Sequence, residues 1–151
     1  RAARMARKHG ARPPRVRVRD VGPRSLDAIA IENAVEGCVR EAFGALVATH
    51  QAAHAADPGT RRMLGRIARE ETGHAALSFE VLSWSRARLD PAGRERLRVR
   101  AEAAIAALMA PRSDADPSTA AALGLPSEAT RSALVRSLRA RLWDAAFAAF
   151  V

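Results

Sequence analysis

Apolar side chains recur every three or four residues along three long segments of the chain, which is the spacing of one face of an α-helix. These segments predict helices over about residues 26–55, 58–86 and 91–110. Two helix starts share one pattern, Asp57 before Pro58 and Asp90 before Pro91, where aspartate is a typical N-cap and proline fits the first helical position. Because the turn between the first two helices is short, we expect them to pack antiparallel.

The parts of the chain outside these helices predict linkers and one further helix. Residues 1–24 open like the end of a preceding helix, closed by Gly10, and continue as an extended connector rich in arginine, valine and proline. Residues 111–126 predict a second linker, and an apolar stripe predicts a C-terminal helix over residues 127–151. Because the first residue is not methionine, we expect the chain to be a piece of a longer protein or a processed form.

The composition agrees with a helical fold. Of the 151 residues 48% are hydrophobic, mostly alanine and leucine, whereas 4% are aromatic and tyrosine is absent, which favours helices over sheet. No apolar run approaches the ~18 residues of a membrane span, and the start lacks the apolar centre of a signal peptide. We therefore expect an all-α cytoplasmic protein, an antiparallel helical hairpin or bundle over residues 25–110 with additional C-terminal helices.

The positive net charge of the chain is weak evidence for a nucleic-acid partner. The formal net charge is +9, but all but one of the 25 basic residues are arginine, a bias typical of a GC-rich bacterial genome. We expect neither a nucleic-acid nor a membrane partner, and keep nucleic-acid binding through the arginine-rich residues 1–24 as a third hypothesis. The one cysteine, Cys38, excludes an internal disulfide and predicts a small buried hydrophobic side chain.

Three ionisable residues fall on the predicted apolar faces of the first two helices. Glu71 and His74 share the second helix's stripe with Leu64, Ile67, Ser78 and Val81, and Glu36 shares the first helix's stripe with Val39 and Phe43. An unpaired ionised carboxylate in such a stripe is costly. A bound cation is one partner that would compensate it.

Distance from the turn predicts that these three side chains converge. In an antiparallel hairpin, facing residues are equally far from the turn; Glu36 and His74 are centred on residue 55, and Glu36 and Glu71 between 53 and 54. Both centres lie close to the turn, so the axial mismatch is roughly 5 Å or less. Two carboxylates and an imidazole suit iron, manganese or zinc, whereas an all-oxygen calcium site would not use the histidine.

The segments "ENAVEGCVREAFGALV" and "REETGHAAL" resemble half of a ferritin-like di-iron carboxylate domain, the C-terminal half of a bacterial ferritin-like protein. The resemblance covers about residues 25–110. It implies that Glu71 bridges two metal ions and that Glu36 and His74 are terminal ligands. It also implies iron as cofactor and oxidation by dioxygen or peroxide as the activity.

The chain departs from the family pattern because no histidine follows His74, so a second Glu-x-x-His motif is missing. Either an upstream helix pair of the same protein completes the site, or two copies associate with twofold symmetry as a homodimer.

Two other interpretations stay open. Glu70, Glu71 and His74 also fit a polar cluster paired with Arg40 or Arg69, in a non-catalytic helical interaction domain that dimerises through its apolar face. His50 and His54, one turn apart on the first helix, fit either a second metal site or a polar patch.

Overall fold

The computed structural model describes residues 2–8, 10–12, 14–18, 22–111 and 115–148. All regular secondary structure within these ranges is helical, which confirms the predicted all-α class. None of the helices in the described ranges is both long and apolar enough to cross a bilayer. Parts of the two predicted linkers, and residues 149–151 of the predicted C-terminal helix, lie outside the described residues.

The helices follow one another along the chain with short connections. Their bounds are α1 Ala2–Lys8, α2 Leu26–Glu32, π1 Asn33–Glu41, α3 Ala42–His54, α4 Pro58–Arg86, α5 Pro91–Leu108, α6 Pro117–Leu123, α7 Glu128–Leu138, π2 Arg139–Trp143 and α8 Asp144–Ala148. The segments α2, π1 and α3 are continuous, and we call them the central helix. The segments α7, π2 and α8 are likewise continuous and form the C-terminal helix.

Side-chain caps fix the helix starts at the positions that the sequence predicted. Asp57 accepts the backbone N–H of Thr60 at 2.6 Å, and Asp90 accepts that of Gly93 at 2.6 Å, with a proline at the first position of each helix. Such caps stabilise a helix by about 1 kcal/mol each. The two Asp-Pro turns are therefore confirmed as the boundaries of α4.

The core lies around the central helix, which α4, α5 and the C-terminal helix surround. Its largest fully buried hydrophobic side chains come from three of these elements. They are Val39 and Cys38 in π1, Leu97 and Ile105 in α5, and Val135, Trp143 and Phe147 in the C-terminal helix. Burying a side chain of this size contributes about 1.5–3 kcal/mol, so the C-terminal helix is part of the same core as the hairpin.

Small residues form the seam between the central helix and α4. A Cβ placed on Gly37 would overlap the side chain of Ser78, and one placed on Gly65 would lie 3.9 Å from Ala52. The residue pairs run in opposite directions along the two helices, which confirms the antiparallel hairpin. Because glycine and alanine line the seam, the two backbones approach closely.

Polar contacts attach the C-terminal helix to the rest of the molecule. Trp143 Nε1 donates a buried hydrogen bond of 2.8 Å to the carbonyl oxygen of Cys38 in π1. Arg131, 8% exposed, donates to the carbonyl oxygens of Leu108, the last residue of α5, and of Ala110 just beyond it, and its guanidinium pairs with Glu128 at 2.7 Å. The two Arg131 bonds satisfy carbonyls at the end of α5 that lack an intrahelical partner.

Candidate metal centre

Glu41, Glu71 and His74 lie together where π1 faces α4. One donor atom from each residue, two carboxylate oxygens and one imidazole nitrogen, lies within 4.8 Å of the others. His74 Nδ1 and Glu71 Oε2 are 3.6 Å apart, on consecutive turns of α4. Glu41 and Glu71 are half-buried and His74 is exposed, so the group is open to solvent on one side.

The π-helical geometry of π1 aligns residues that are five positions apart. A π-helix forms i→i+5 hydrogen bonds, whereas an α-helix forms i→i+4 bonds. In π1 the side chains of Asn33 and Cys38, five apart, contact each other with 3.8 Å between Nδ2 and Sγ. Apolar stripes drawn with α-helical spacing therefore do not describe this part of the central helix.

The hairpin register brings Glu41 opposite His74. The contact between Gly37 and Ser78 is centred between Asp57 and Pro58, and so is the pair of Glu41 and His74. Glu36 is the ligand that the sequence predicted on this helix. The midpoint between Glu36 and His74 is residue 55, so Glu36 lies out of this register. A signal for Glu41 was present in the sequence, because it stands four residues after Gly37 in the row of small residues that forms the seam.

Glu36, the predicted third ligand, is not a member of this group. Its carboxylate forms an ion pair of 2.6 Å with Arg40, and its side chain is 51% exposed. It lines an open depression of about 270 Å³ together with Glu32, Glu41 and Ser78. Glu36 therefore shares the depression with Glu41 but is paired with an arginine, and its role as a ligand stays a prediction.

The buried faces differ from the predicted stripes because small residues occupy them. On α4 the buried positions are Leu64, Ala68, Ala75, Ser78, Leu82 and Ser85. Glu71 falls within this series, as predicted, but His74 is 61% exposed and Ile67 is exposed as well. On the central helix Val39 and Phe43 are buried, as predicted, and the small residues Ala30 and Ala34 are buried beside them. Two helices that pack closely have space for alanine between them, whereas isoleucine and valine are the residue types most often found buried in general.

Arginines neutralise the neighbouring carboxylates but not those of the group. Glu32 pairs with Arg24 and Glu36 pairs with Arg40. Within the described ranges neither Glu41 nor Glu71 has an ion pair with an arginine or a lysine, and the imidazole of His74 lies 3.6 Å from the carboxylate of Glu71. The predicted partners Arg40 and Arg69 therefore do not pair with Glu71. Two carboxylates held beside an imidazole without arginine leave room for a cation.

Burial separates Cys38 from this chemistry. Burial, and then the negative charge of Glu41, raises the pKa of the Cys38 thiol to about 12. A thiol with such a pKa is protonated at neutral pH and is a poor metal ligand.

The donor set fits a transition-metal ion. Metal–ligand bonds to nitrogen and oxygen are about 2.0–2.2 Å long, so two ligand atoms of one ion are at most about 4.4 Å apart. The three donor atoms lie within 4.8 Å of one another, and small side-chain rotations would bring them within that limit. Oxygen with imidazole suits iron, manganese or zinc. Three protein ligands leave at least one coordination position open, which is the arrangement of a reactive site and not of a closed structural one.

Comparison of the chain with protein-family models, with curated proteins and with solved structures found no match.

Proposed function

We propose that this chain is a ferritin-like helical protein that binds iron, or manganese or zinc in its place, through Glu41, Glu71 and His74. The observation that supports the proposal most directly is that two carboxylates, neither of them paired with an arginine, and one imidazole lie within 4.8 Å of one another. The Glu-x-x-His spacing of Glu71 and His74 supports it, because this spacing is the one that ferritin-like di-metal sites use on one helix of each pair.

Each residue has a distinct part in the proposed site. Glu71, in the half-buried position facing π1, is suited to bridge between ions, and Glu41 and His74 are suited to be terminal ligands from opposite helices. Iron bound here supplies one-electron redox chemistry with dioxygen or peroxide. The protein residues hold the ion, leave its open positions on the solvent side, and exclude solvent from the seam below through Gly37 and Ser78.

A complete di-metal centre in this proposal needs a second helix pair. Three ligands from one chain serve one ion, and the exposed side of the group faces away from the hairpin. A second copy of the chain, related by twofold symmetry, would contribute another Glu41, Glu71 and His74. A helix pair elsewhere in the same polypeptide is the other source, and the two differ in whether the isolated chain dimerises on metal loading.

The experiment measures metal binding by the purified chain and by two variants of α4. Anaerobic titration with Fe(II) and separate titration with Zn(II) should give a saturable site in the wild type. Because removing even an outer-shell group costs about 10–100-fold in metal affinity, Glu71→Gln should lose at least that much. Glu80→Gln, a charge change at an exposed position of the same helix, is the control and should bind as the wild type does. Equal affinity in all three proteins would refute the proposal.

A second candidate function is a non-catalytic interaction domain, which an exposed apolar row on α4 favours. Leu77 and Trp84, seven residues apart and so on the same side of α4, are 59% and 50% exposed. Exposed apolar rows of this kind are typical of helix-pairing surfaces.

The two candidate functions differ in their response to chelators. An interaction domain forms an oligomer that persists with excess chelator and in the Glu71→Gln variant, and that Leu77→Glu disrupts. A metal-completed dimer dissociates when the metal is removed. Sedimentation velocity with and without chelator separates the two.

A further inference from the structure

His50 and His54 form a stacked pair at the end of α3, away from the group at Glu41. Their ring centroids are 4.0 Å apart and the ring planes differ by 18°. His50 is half-buried and His54 is exposed. Residues four apart on a helix share a face, so both imidazoles project from the same side of the last turn of α3.

A backbone contact fixes the tautomer of one ring. His54 Nδ1 lies 2.7 Å from the carbonyl oxygen of His50. Because a carbonyl oxygen only accepts, Nδ1 carries the proton, and the lone pair of the neutral ring is on Nε2. Histidines that bind metals almost always donate their other nitrogen to a carbonyl or carboxylate in this way.

The other ring, His50, is half-buried and stacks on His54. A neutral imidazole is the form that coordinates metal. Arg61 donates hydrogen bonds to the neighbouring carbonyl oxygens of Ala55 and Ala56.

We propose that His50 and His54 form a second metal site that binds one late first-row divalent ion, copper(II) or zinc, through the two imidazoles. Stacked rings present their nitrogens side by side, and a small rotation of each ring makes them converge on one ion. Two imidazoles without a carboxylate favour copper and zinc over the oxygen-preferring ions. Water or an external ligand takes the remaining positions.

The position of the pair gives the bound ion a structural effect. Gln51 lies between the two histidines in the sequence. Its Nε2 donates a hydrogen bond of 3.0 Å to the carbonyl oxygen of Leu123 at the end of α6. A Cβ on Gly124 would overlap the backbone of His54 and Ala55, so α6 docks closely on this turn. An ion that clamps the two imidazoles therefore stabilises the turn on which α6 docks.

The test uses a background in which the carboxylate group is disabled. Copper(II) is titrated into the full chain carrying Glu71→Gln and His74→Gln, with circular dichroism confirming the fold. We expect one equivalent to bind, with nitrogen hyperfine structure from two imidazoles in the electron paramagnetic resonance spectrum. Adding His54→Gln to this background should lower the affinity by at least about 10–100-fold, since loss of a second-shell partner alone costs that much.

Two results would overturn this inference. One is a folded Glu71→Gln, His74→Gln protein that binds no copper; the other is an unchanged spectrum and affinity after His50→Gln and His54→Gln are added. Neither result bears on the site at Glu41, because two of its three ligands, Glu71 and His74, are absent from the protein under test.

Discussion

Gly37 of π1 lies directly against Ser78 of α4, with no room for a Cβ between them. The contact is one turn along π1 from Glu41 and one turn along α4 from His74, so it sets the separation of the two helices beside the candidate metal centre. Asn33 strengthens the same contact by donating a hydrogen bond of 2.9 Å from Nδ2 to the carbonyl oxygen of Ser78.

Gly37→Ala should destabilise the protein by about 1–3 kcal/mol, the usual cost of overpacking a close contact. The matched control is Gly44→Ala on the same helix, where a Cβ meets nothing within 4 Å. Because alanine is the better helix former, that variant should gain about 0.5–1 kcal/mol. Urea unfolding of both variants measures the difference, and equal effects of the same sign would contradict the assigned seam.

Trp143→Phe should destabilise the protein by about 1–3 kcal/mol, because the buried carbonyl oxygen of Cys38 loses its indole donor. Trp84→Phe is the control, since Trp84 is 50% exposed and its ring lies under the guanidinium of Arg88 at 4.3 Å. That change should stay within about 0.5 kcal/mol. Thermal unfolding compares the two, and a Trp143 variant that is as stable as the Trp84 variant would show that this bond does not help to dock the C-terminal helix.

The sequence predicted the helices better than it predicted their facing sides. Asp-Pro turns and apolar spacing act locally, so the start of α4 at Pro58 could be predicted from the residues around it. The π geometry of Asn33–Glu41 had no such local signal. The residue level with His74 depends instead on the register of the Gly37–Ser78 contact, which places Glu41 and not Glu36 opposite it, although both glutamates lie in the same helical segment.

The burial of alanine on the facing sides had a related cause. Ala68 and Ala75 are buried on α4 while Ile67 is exposed, because the close approach of the two helices along the seam favours small side chains at these turns. Apolar periodicity gives most weight to large side chains. The predicted stripe therefore included the exposed residues Ile67 and His74 and missed the buried alanines. Glu71 and His74 could be proposed from the Glu-x-x-His spacing, whereas their partner depended on the register of the seam.

The stability that Asp116 contributes should depend on pH. Asp116 caps α6, and hydrogen bonds from the Ser118 hydroxyl and then from Thr119 lower the pKa of its carboxyl from 3.8 to about 2. Because the folded-state pKa is depressed, the contribution is present above pH 3.8 and is lost as the pH falls towards 2. The difference in melting temperature between the wild type and Asp116→Ala should therefore shrink over this range.

Asp116→Asn is the control for that measurement, since its amide still accepts a hydrogen bond at the cap but carries no titrating charge. Its difference from Asp116→Ala should not change between neutral pH and the acid range. A wild-type advantage that stayed constant down to pH 2 would contradict the assigned cap.

The central claim is that Glu41, and not Glu36, completes the ligand set with Glu71 and His74. Calorimetric titration of Zn(II), which avoids redox side reactions, measures this most directly in Glu41→Gln and Glu36→Gln. Both variants remove one negative charge from the same helical segment, so a general electrostatic effect is equal in the two. We predict that Glu41→Gln loses at least about 10–100-fold in affinity while Glu36→Gln stays close to the wild type. Loss of binding in Glu36→Gln with full binding in Glu41→Gln would contradict the account.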